Sequence, residues 1–433
     1  MIYFGTDGIR GVANKELTVE LCYKCGLAIT KVIKEPKIII ATDTRESRDL
    51  IKTSLLSGLL SGGAYVVDVG IAPTSMVSFL LTKLKFDFGI VISASHNPSE
   101  YNGIKIFDKF GQKLSDKIEE EIEYHIINTN SNLNGKIGTY RKDEKLQKEY
   151  INYIIENVDV RFNDLKIVLD LANGASFKVA PIIFKKLGAK VITINNYSNG
   201  EINENCGSLH IDGLRKKVLL EKADVGFAFD GDADRLMCID NFGNIVDGDK
   251  AIFLLANYLK KKKQLKNNIV VGTTQTNLKI EDRLKNKGIK FLRSDVGDKY
   301  VIEKMKEYKS NLGGEQSGHI ILSDILPTGD GILSAVKILE VIKQEKKSLY
   351  KLTQIKLMPQ KSINVIVKDK ARIKNSEELN DLIKSLQKNF DGRIIVRASG
   401  TENKIRVLVE GKSKKLLNEI SGKIVNLINK LNI

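Results

Sequence analysis

Blocks of apolar residues separated by polar turns run the length of this chain, and one arrangement of them occurs three times. A β-branched run leads through a polar loop to a stretch of helical spacing, then glycine, then a second β-branched run. The first copy is Lys37-Ile38-Ile39-Ile40-Ala41-Thr42, a helix near 47–61, Gly62-Gly63, and Tyr65 to Val69. The second is Lys166 to Asp170, a helix near 176–187, Gly188, and Lys190 to Ile194. The third is Asn268 to Gly272, a helix near 276–287, Gly288, and Ile289 to Leu292. Strands bracketing one helix of this length are the signature of a βαβ crossover between parallel strands. The glycine past each helix suits a left-handed C-cap. The chain beyond 358 reads differently: a strand over 362–367, a helix near 376–388, strands over 393–397 and 404–410, and a closing helix. Polar stretches near 128–148, 241–249 and 357–360 mark the boundaries. They predict three consecutive similar α/β domains, 1–145, 146–246 and 247–358, and a smaller α+β domain, 359–433.

Composition changes this picture little. The chain has 433 residues, 42 % hydrophobic and 28 % charged, as expected of a soluble globular protein of several domains. The net charge of +16 comes mostly from lysines scattered over helix faces, densest at Lys260 to Lys263, and Trp is absent. A nucleic-acid surface would gather that charge beside aromatics, so a solvated basic surface is the reading, one that draws anionic substrates. No signal peptide precedes the first strand, no apolar run reaches the ~20 residues that span a bilayer, and a cytoplasmic protein follows. Cys22 and Cys25 form a C-x-x-C inside a helical pattern with no second pair, so they read as core-facing rather than zinc-binding or redox-active.

The chemistry is carried by loops. Gly89 to Ile92 is strand-like and breaks into Ser93-Ala94-Ser95-His96-Asn97-Pro98, which cannot prolong a strand. A hydroxyl and an imidazole are thus held at a strand's end, where binding groups commonly sit in α/β sheets. Strand Asp224 to Phe229 leads into Asp230-Gly231-Asp232-Ala233-Asp234-Arg235. Three carboxylates at alternate positions can turn on one point, and a hard cation such as Mg²⁺ relieves their repulsion. EF-hand spacing fails, because Arg235 and Asn241 stand at its sixth and twelfth positions. Arg235 can bond a carboxylate or a phosphate. Gly313 to His319 precedes a strand, and its Glu315 and Ser317 suit sugar hydroxyls. Arg397-Ala398-Ser399-Gly400-Thr401-Glu402, with Arg406 in the next strand, suits a phosphate dianion.

Together with Phe4-Gly5-Thr6-Asp7-Gly8-Ile9-Arg10-Gly11 at the start, these motifs stand in the order of the α-D-phosphohexomutase superfamily, which the chain resembles over essentially its whole length. Gly314 to His319, Asn205 to His210, Val296 to Val301 and Thr328 to Gly331 resemble the branch acting on glucosamine phosphates. Asn403, Lys299 and Leu209 stand where that branch usually has Pro, Arg and Thr.

The resemblance implies mixed sheets around a central cleft. It also implies a Mg²⁺-dependent mutase that moves phosphate between O6 and O1 of glucosamine, through a phosphoserine and a hexose 1,6-bisphosphate, toward UDP-N-acetylglucosamine and cell-wall precursors. A phosphomannomutase or phosphoglucomutase is the alternative. Ser95 would carry the phosphoryl group, and Ser95, Asp230, Asp232 and Asp234 would hold the metal. Lys105 and Arg10 would flank the reacting phosphate, Lys105 handling a proton with a pKa lowered by burial among cations. His96 would tune the loop. Arg235, Glu315, Ser317 and His319 would hold the sugar; Arg397, Ser399, Gly400, Thr401 and Arg406 would hold its second phosphate. The partner expected is a small-molecule sugar phosphate, with a homodimer admitted and neither nucleic acid nor membrane expected.

Overall fold

The computed structural model describes residues 2–5, 7–128, 135–198, 201–399 and 403–432. Its chain divides into two compact units, Met1–Thr273 with Ile289–Gln354, and Thr274–Gly288 with Ile355–Ile433.

The first unit holds three mixed sheets built on one kernel of four strands. In the first sheet, Lys37–Thr42 lies between Tyr65–Ile71 and Phe88–Ile92, both parallel to it, and Tyr101–Asp108 runs antiparallel beside Phe88–Ile92. In the second, Lys166–Asp170 lies between Lys190–Ile194 and Val225–Phe229, and Leu236–Asp240 runs antiparallel beside the latter. In the third, Ile269–Thr273 lies between Lys290–Ser294 and Leu312–Gly314, followed by antiparallel Ile320–Leu322. The predicted strand–helix–strand repeats are therefore the parallel pairs of each kernel. Their helices are Arg48–Ser61, Val179–Lys186 and Leu278–Lys285. Gly63, Gly188 and Gly288, just past those helices, have φ of 82°, 96° and 66°, the left-handed values their positions call for.

Central strands are apolar throughout because both faces are covered. Ile38, Ile39, Ile40 and Ala41 are fully buried, as are Val225, Phe227, Ala228 and Phe229. Cys22 and Cys25 are buried in helix Val19–Val32, where desolvation pushes the Cys22 thiol up to about 12, so the C-x-x-C is core as expected. The connector near 128–148 holds a strand that was not expected: Thr139–Lys142 pairs in parallel with Tyr65–Ile71. All four of its residues are exposed, so no alternation marks it.

The second unit is a three-stranded antiparallel sheet, Gln360–Ile366, Lys404–Gly411 and Gly392–Ala398 in spatial order. Helices Glu377–Lys388 and Lys414–Leu431 help to form a core around Val365, Ile405, Val407 and Ile424. Helix Leu278–Lys285 of the third repeat is counted with this unit. Leu278 donates its N–H to Glu410, and Arg393 donates to the carbonyls of Thr274 and Thr276. Among the described residues no helix is long and apolar enough to cross a membrane.

Candidate active site

Each chemical loop of the first unit joins the third and fourth strands of its kernel. Ser93 to Glu100 joins Phe88–Ile92 to Tyr101–Asp108; Asp230 to Arg235 joins Val225–Phe229 to Leu236–Asp240; Glu315 to His319 joins Leu312–Gly314 to Ile320–Leu322. Serine, aspartates and sugar-loop residues thus occupy one structural position in three sheets.

Ser95 has φ 53°, a left-handed conformation costly for a non-glycine residue, and a polar scaffold holds it there. Its N–H donates to Ser93 Oγ at 2.9 Å, and that hydroxyl donates to Asp43 Oδ2 at 2.6 Å. The fully buried Arg45 uses all five of its N–H groups, bonding Asp43 and the carbonyls of Ser95, Asn97, Pro98 and Tyr101. Asn203 Nδ2 adds bonds to the Ser95 and Asn97 carbonyls at 2.8 and 3.1 Å. Burial raises the pKa of Asp43, and Arg45 and Ser93 oppose that shift.

The second loop meets this one directly. Ser95 Oγ donates to Asp230 Oδ2 at 2.6 Å. A Cβ on Gly231 would stand 2.6 Å from the Ser95 carbonyl oxygen, so only glycine allows the approach. Asp230, Asp232 and Asp234 are buried with one carboxylate oxygen each inside a 4.8 Å cluster. Asp232 Oδ2 takes Thr74 Oγ1 and Lys105 Nζ, each at 2.5 Å. Among the described residues, Asp232 Oδ1 and Asp234 Oδ1 are buried without a hydrogen-bond partner. Orphaned anionic oxygens beside a reactive hydroxyl are what a hard cation would satisfy, so the residues fit Mg²⁺. Burial and the neighbouring aspartates hold the Asp230 carboxyl well above the usual range. Burial would raise Asp234 too, but Lys105, His319 and Arg235 hold it well below.

Lys105 corrects one expectation. It lies on strand Tyr101–Asp108, with Nζ also 3.4 Å from Asp234 and 3.2 Å from Asp7. Burial pulls its pKa down, but Asp232 and Asp234 outweigh burial and raise it above its ordinary value, so carboxylates rather than cations dominate around it. Arg10, on strand Gly8–Val12 opposite Gly103, pairs with Asp7. Burial lowers the Arg10 pKa, and Asp232 and Asp234 act against that. His96 Nδ1 lies 3.4 Å from Ser95 Oγ. Burial first, then Arg235 and Arg10, lower its pKa to about 3, which leaves a neutral ring.

The sugar loop closes on the same cluster. Arg235 and His319 form a β-bridge, and His319 Nδ1 lies 3.8 Å from Asp234 Oδ1. Glu315 is buried and accepts the Gly297 N–H at 3.0 Å, whereas Ser317 is exposed. The Arg235 backbone N–H donates to Asp230 Oδ1 at 3.0 Å; burial lowers the pKa of its side chain, and Asp230, Asp234 and Glu315 raise it above its ordinary value.

In the second unit, Arg397 and Arg406 are direct cross-strand partners, and Arg406 Nη2 lies 3.5 Å from the Ser399 hydroxyl. Two guanidinium groups facing one another on a sheet suit an anion between them. Lys370 Nζ, bonded to the Ser399 carbonyl at 2.9 Å, adds a third cation. Gly400 and Thr401 lie outside the described residues. Asn403 accepts the Val367 N–H through its carbonyl, a bond the usual Pro would also make.

The sequence matches the four domains of phosphoglucomutase/phosphomannomutase in order: alpha/beta/alpha domains I, II and III over residues 1–133, 148–243 and 247–358, and the C-terminal domain over 363–427. The chain belongs to the phosphoglucomutase/phosphomannomutase family. Among its relatives in this family are the phosphoglucosamine mutases of Caldanaerobacter subterraneus subsp. tengcongensis, 46 % identical, and Acetivibrio thermocellus, 44 % identical. Each comparison covers 98 % of both chains. A Burkholderia thailandensis protein of this family shares the fold with a TM-score of 0.82 at 22 % identity, covering 99 % of this chain and 97 % of its own. An Aspergillus fumigatus N-acetylphosphoglucosamine mutase, solved with GlcNAc-6P and magnesium, gives 0.69 at 16 % identity, covering 100 % and 96 %. Around the family motifs, sequence reasoning missed Arg45, Asn203, Thr74, Lys370 and a group of Asp7, Lys113 and Asp298. Asp43-Thr44-Arg45, a polar burst directly after strand Lys37–Thr42, offered a signal, and Asp7 and Asp298 stand inside the motifs Phe4 to Gly11 and Val296 to Val301 without a role assigned there.

Proposed function

We propose that this chain interconverts glucosamine 6-phosphate and glucosamine 1-phosphate, with Ser95 as the reversible phosphate carrier. The observation that carries the reading is Ser95 Oγ at 2.6 Å from Asp230, beside two buried carboxylate oxygens, Asp232 Oδ1 and Asp234 Oδ1, that accept no hydrogen bond among the described residues. The phosphoglucosamine mutases at 42–46 % identity support the sugar assignment. A variant of the Aspergillus enzyme that holds glucose 1,6-bisphosphate supports a bisphosphate intermediate.

Phospho-Ser95 gives its phosphoryl group to the free end of the sugar phosphate, breaking its own P–O bond as the new one forms. The 1,6-bisphosphate turns over, and its other phosphate returns to Ser95. Asp230, Asp232 and Asp234, with an oxygen on Ser95, would hold Mg²⁺, which when bound offsets the charge of the phosphate oxygens. Lys105 and Arg10 hydrogen-bond the reacting phosphate as cations. Proton handling by Lys105 requires its amine to leave Asp232. His96, neutral, orients the loop. Glu315, Ser317, His319 and Arg235 bind the sugar, and Arg397, Ser399, Gly400, Thr401 and Arg406 grip the second phosphate. The four segments 1–145, 146–246, 247–358 and 359–433 would each supply one loop. The reading places the protein in the cytoplasm.

A coupled assay with glucosamine, glucose and mannose 6-phosphates tests it. Turnover should be fastest by at least tenfold with glucosamine 6-phosphate; a faster rate with glucose or mannose 6-phosphate would assign the chain to the other branch.

A further inference from the structure

Helix Asp298–Glu307 follows strand Lys290–Ser294 of the third sheet and touches the stretch of the first domain beyond strand Tyr101–Asp108. Three polar contacts make the seam: Asp298 with Lys113, Lys299 with Asp116, and Lys306 with Gln112. Only the first reaches into the site. Lys113 Nζ lies 2.7 Å from Asp298 Oδ1 and 2.6 Å from Asp7 Oδ1, so one ammonium is shared by two carboxylates from different domains.

Each carboxylate has its other oxygen turned to the chemistry. Asp7 Oδ2 faces Lys105 Nζ at 3.2 Å and also takes Arg10. Asp298 Oδ2 lies 3.7 Å from His319 Nε2, whose Nδ1 faces Asp234 at 3.8 Å. Lys113 joins the outer ends of this chain of charges directly, and Lys105, 3.4 Å from Asp234, closes it on the inner side. All three members of the bridge are mostly buried, with side-chain exposures of 16 % for Lys113, 20 % for Asp7 and 12 % for Asp298. Screening by water is correspondingly limited there.

We propose that Lys113 is a positioning residue that fixes the sugar-recognition loop against the phosphate-facing cations by bridging Asp7 and Asp298. The inference rests on the reading of this site as a hexose phosphate mutase. Without the ammonium, two carboxylates that now share it face each other and repel. The start of helix Asp298–Glu307 is pushed away, and His319 is then held against Lys105 only through Asp234 and loses its tie to Asp7 and Arg10. Displacements of about 1 Å near reacting groups change rates by up to about 100-fold.

A double-mutant cycle tests the bridge, using whichever of the three hexose 6-phosphates the wild-type chain turns over fastest. Lys113→Met and Asp298→Asn should each lower kcat/KM by about tenfold or more. The double variant should be no worse than the weaker single one, and Lys113→Arg should recover most of the rate. Wild-type kcat/KM in Lys113→Met, multiplying losses in the double variant, or an Arg variant as poor as Met would each overturn the proposal. If the wild-type chain turns over none of these sugars, the functional reading falls separately. Hydrogen exchange then judges the bridge: Lys113→Met should speed exchange of the first amides of helix Asp298–Glu307, and unchanged exchange would refute it. The same exchange arm decides the case for a variant that folds poorly, through the milder Lys113→Gln.

Discussion

The serine loop and the aspartate loop sit at equivalent places in two sheets of the same plan, yet they use their polar atoms in opposite ways. Around Ser95 the protein satisfies itself: four N–H groups of Arg45 and the amide of Asn203 hold backbone carbonyls, while the fifth Arg45 N–H and Ser93 bond Asp43. The Ser95 side chain is left for chemistry. Around Asp232 and Asp234 the protein leaves carboxylate oxygens buried and unsatisfied. On the proposed reading Ser95 is the nucleophile, which must be placed, and placement comes from a rigid surround. On the proposed reading the aspartate loop is a cation site, which must stay unsatisfied by protein and holds repulsion until an ion binds.

That contrast can be broken at several points. The largest effect should come from Ser95→Ala, which removes the carrier but none of the latch. Turnover should drop by on the order of 10⁴-fold or more, while the thermal midpoint stays near wild type, and intact-mass spectrometry should find no phospho form. Residual turnover near wild type would end the carrier assignment.

Arg45→Met should act oppositely, on stability first. It strips donors from the carbonyls of Ser95, Asn97, Pro98 and Tyr101 and leaves Asp43 buried without its cation, a loss of roughly 3–5 kcal/mol. Urea melts read this directly; a variant as stable as wild type would mean that the latch is decorative. In the other loop, Asp230→Asn removes a carboxylate whose raised pKa shows that its charge is disfavoured in the folded protein. The metal-free midpoint should rise by about 2 °C or more, and the stabilisation that Mg²⁺ gives the wild type should disappear. A lower metal-free midpoint would show that the aspartate loop is as self-satisfied as the serine loop.

The smallest effect concerns His96. Its folded pKa of about 3 lies below the ordinary 6.5, so on acidification the unfolded chain takes up the proton first. Its contribution to stability is therefore complete above pH 6.5 and is lost progressively toward 3. Melts at pH 7.5 and 5.0 should differ more for wild type than for His96→Gln, and equal differences would contradict a neutral, buried ring.

What the sequence showed and what it hid divides along physical lines. Strands such as Ile38 to Ala41 are apolar because they are covered on both faces, and their period is visible in one dimension. Ser95, the three aspartates and the sugar loop were legible because short polar motifs interrupt those strands. Thr139–Lys142 was not, since an exposed edge strand carries no pattern, and Leu312–Gly314 is too short and glycine-rich to announce itself. Asn203 and Lys113 act on partners 106 to 185 residues away, so nothing beside them in the chain reports their role. The pKa of Lys105 was misjudged for the same reason: burial can be guessed from a strand, but which charges surround a buried amine is a tertiary fact.

The missing side chain at Gly231 has a consequence for how the protein comes to be. The Ser95–Asp230 hydrogen bond joins residues 135 apart, from two sheets with cores of their own, and it forms only when the two backbones are seated against each other. A growing polypeptide with its first sheet complete displays the serine but none of the aspartates. On the proposed roles of Ser95 and Asp230, catalytic competence then waits for the two sheets to dock, and a molecule without that docking lacks the pair.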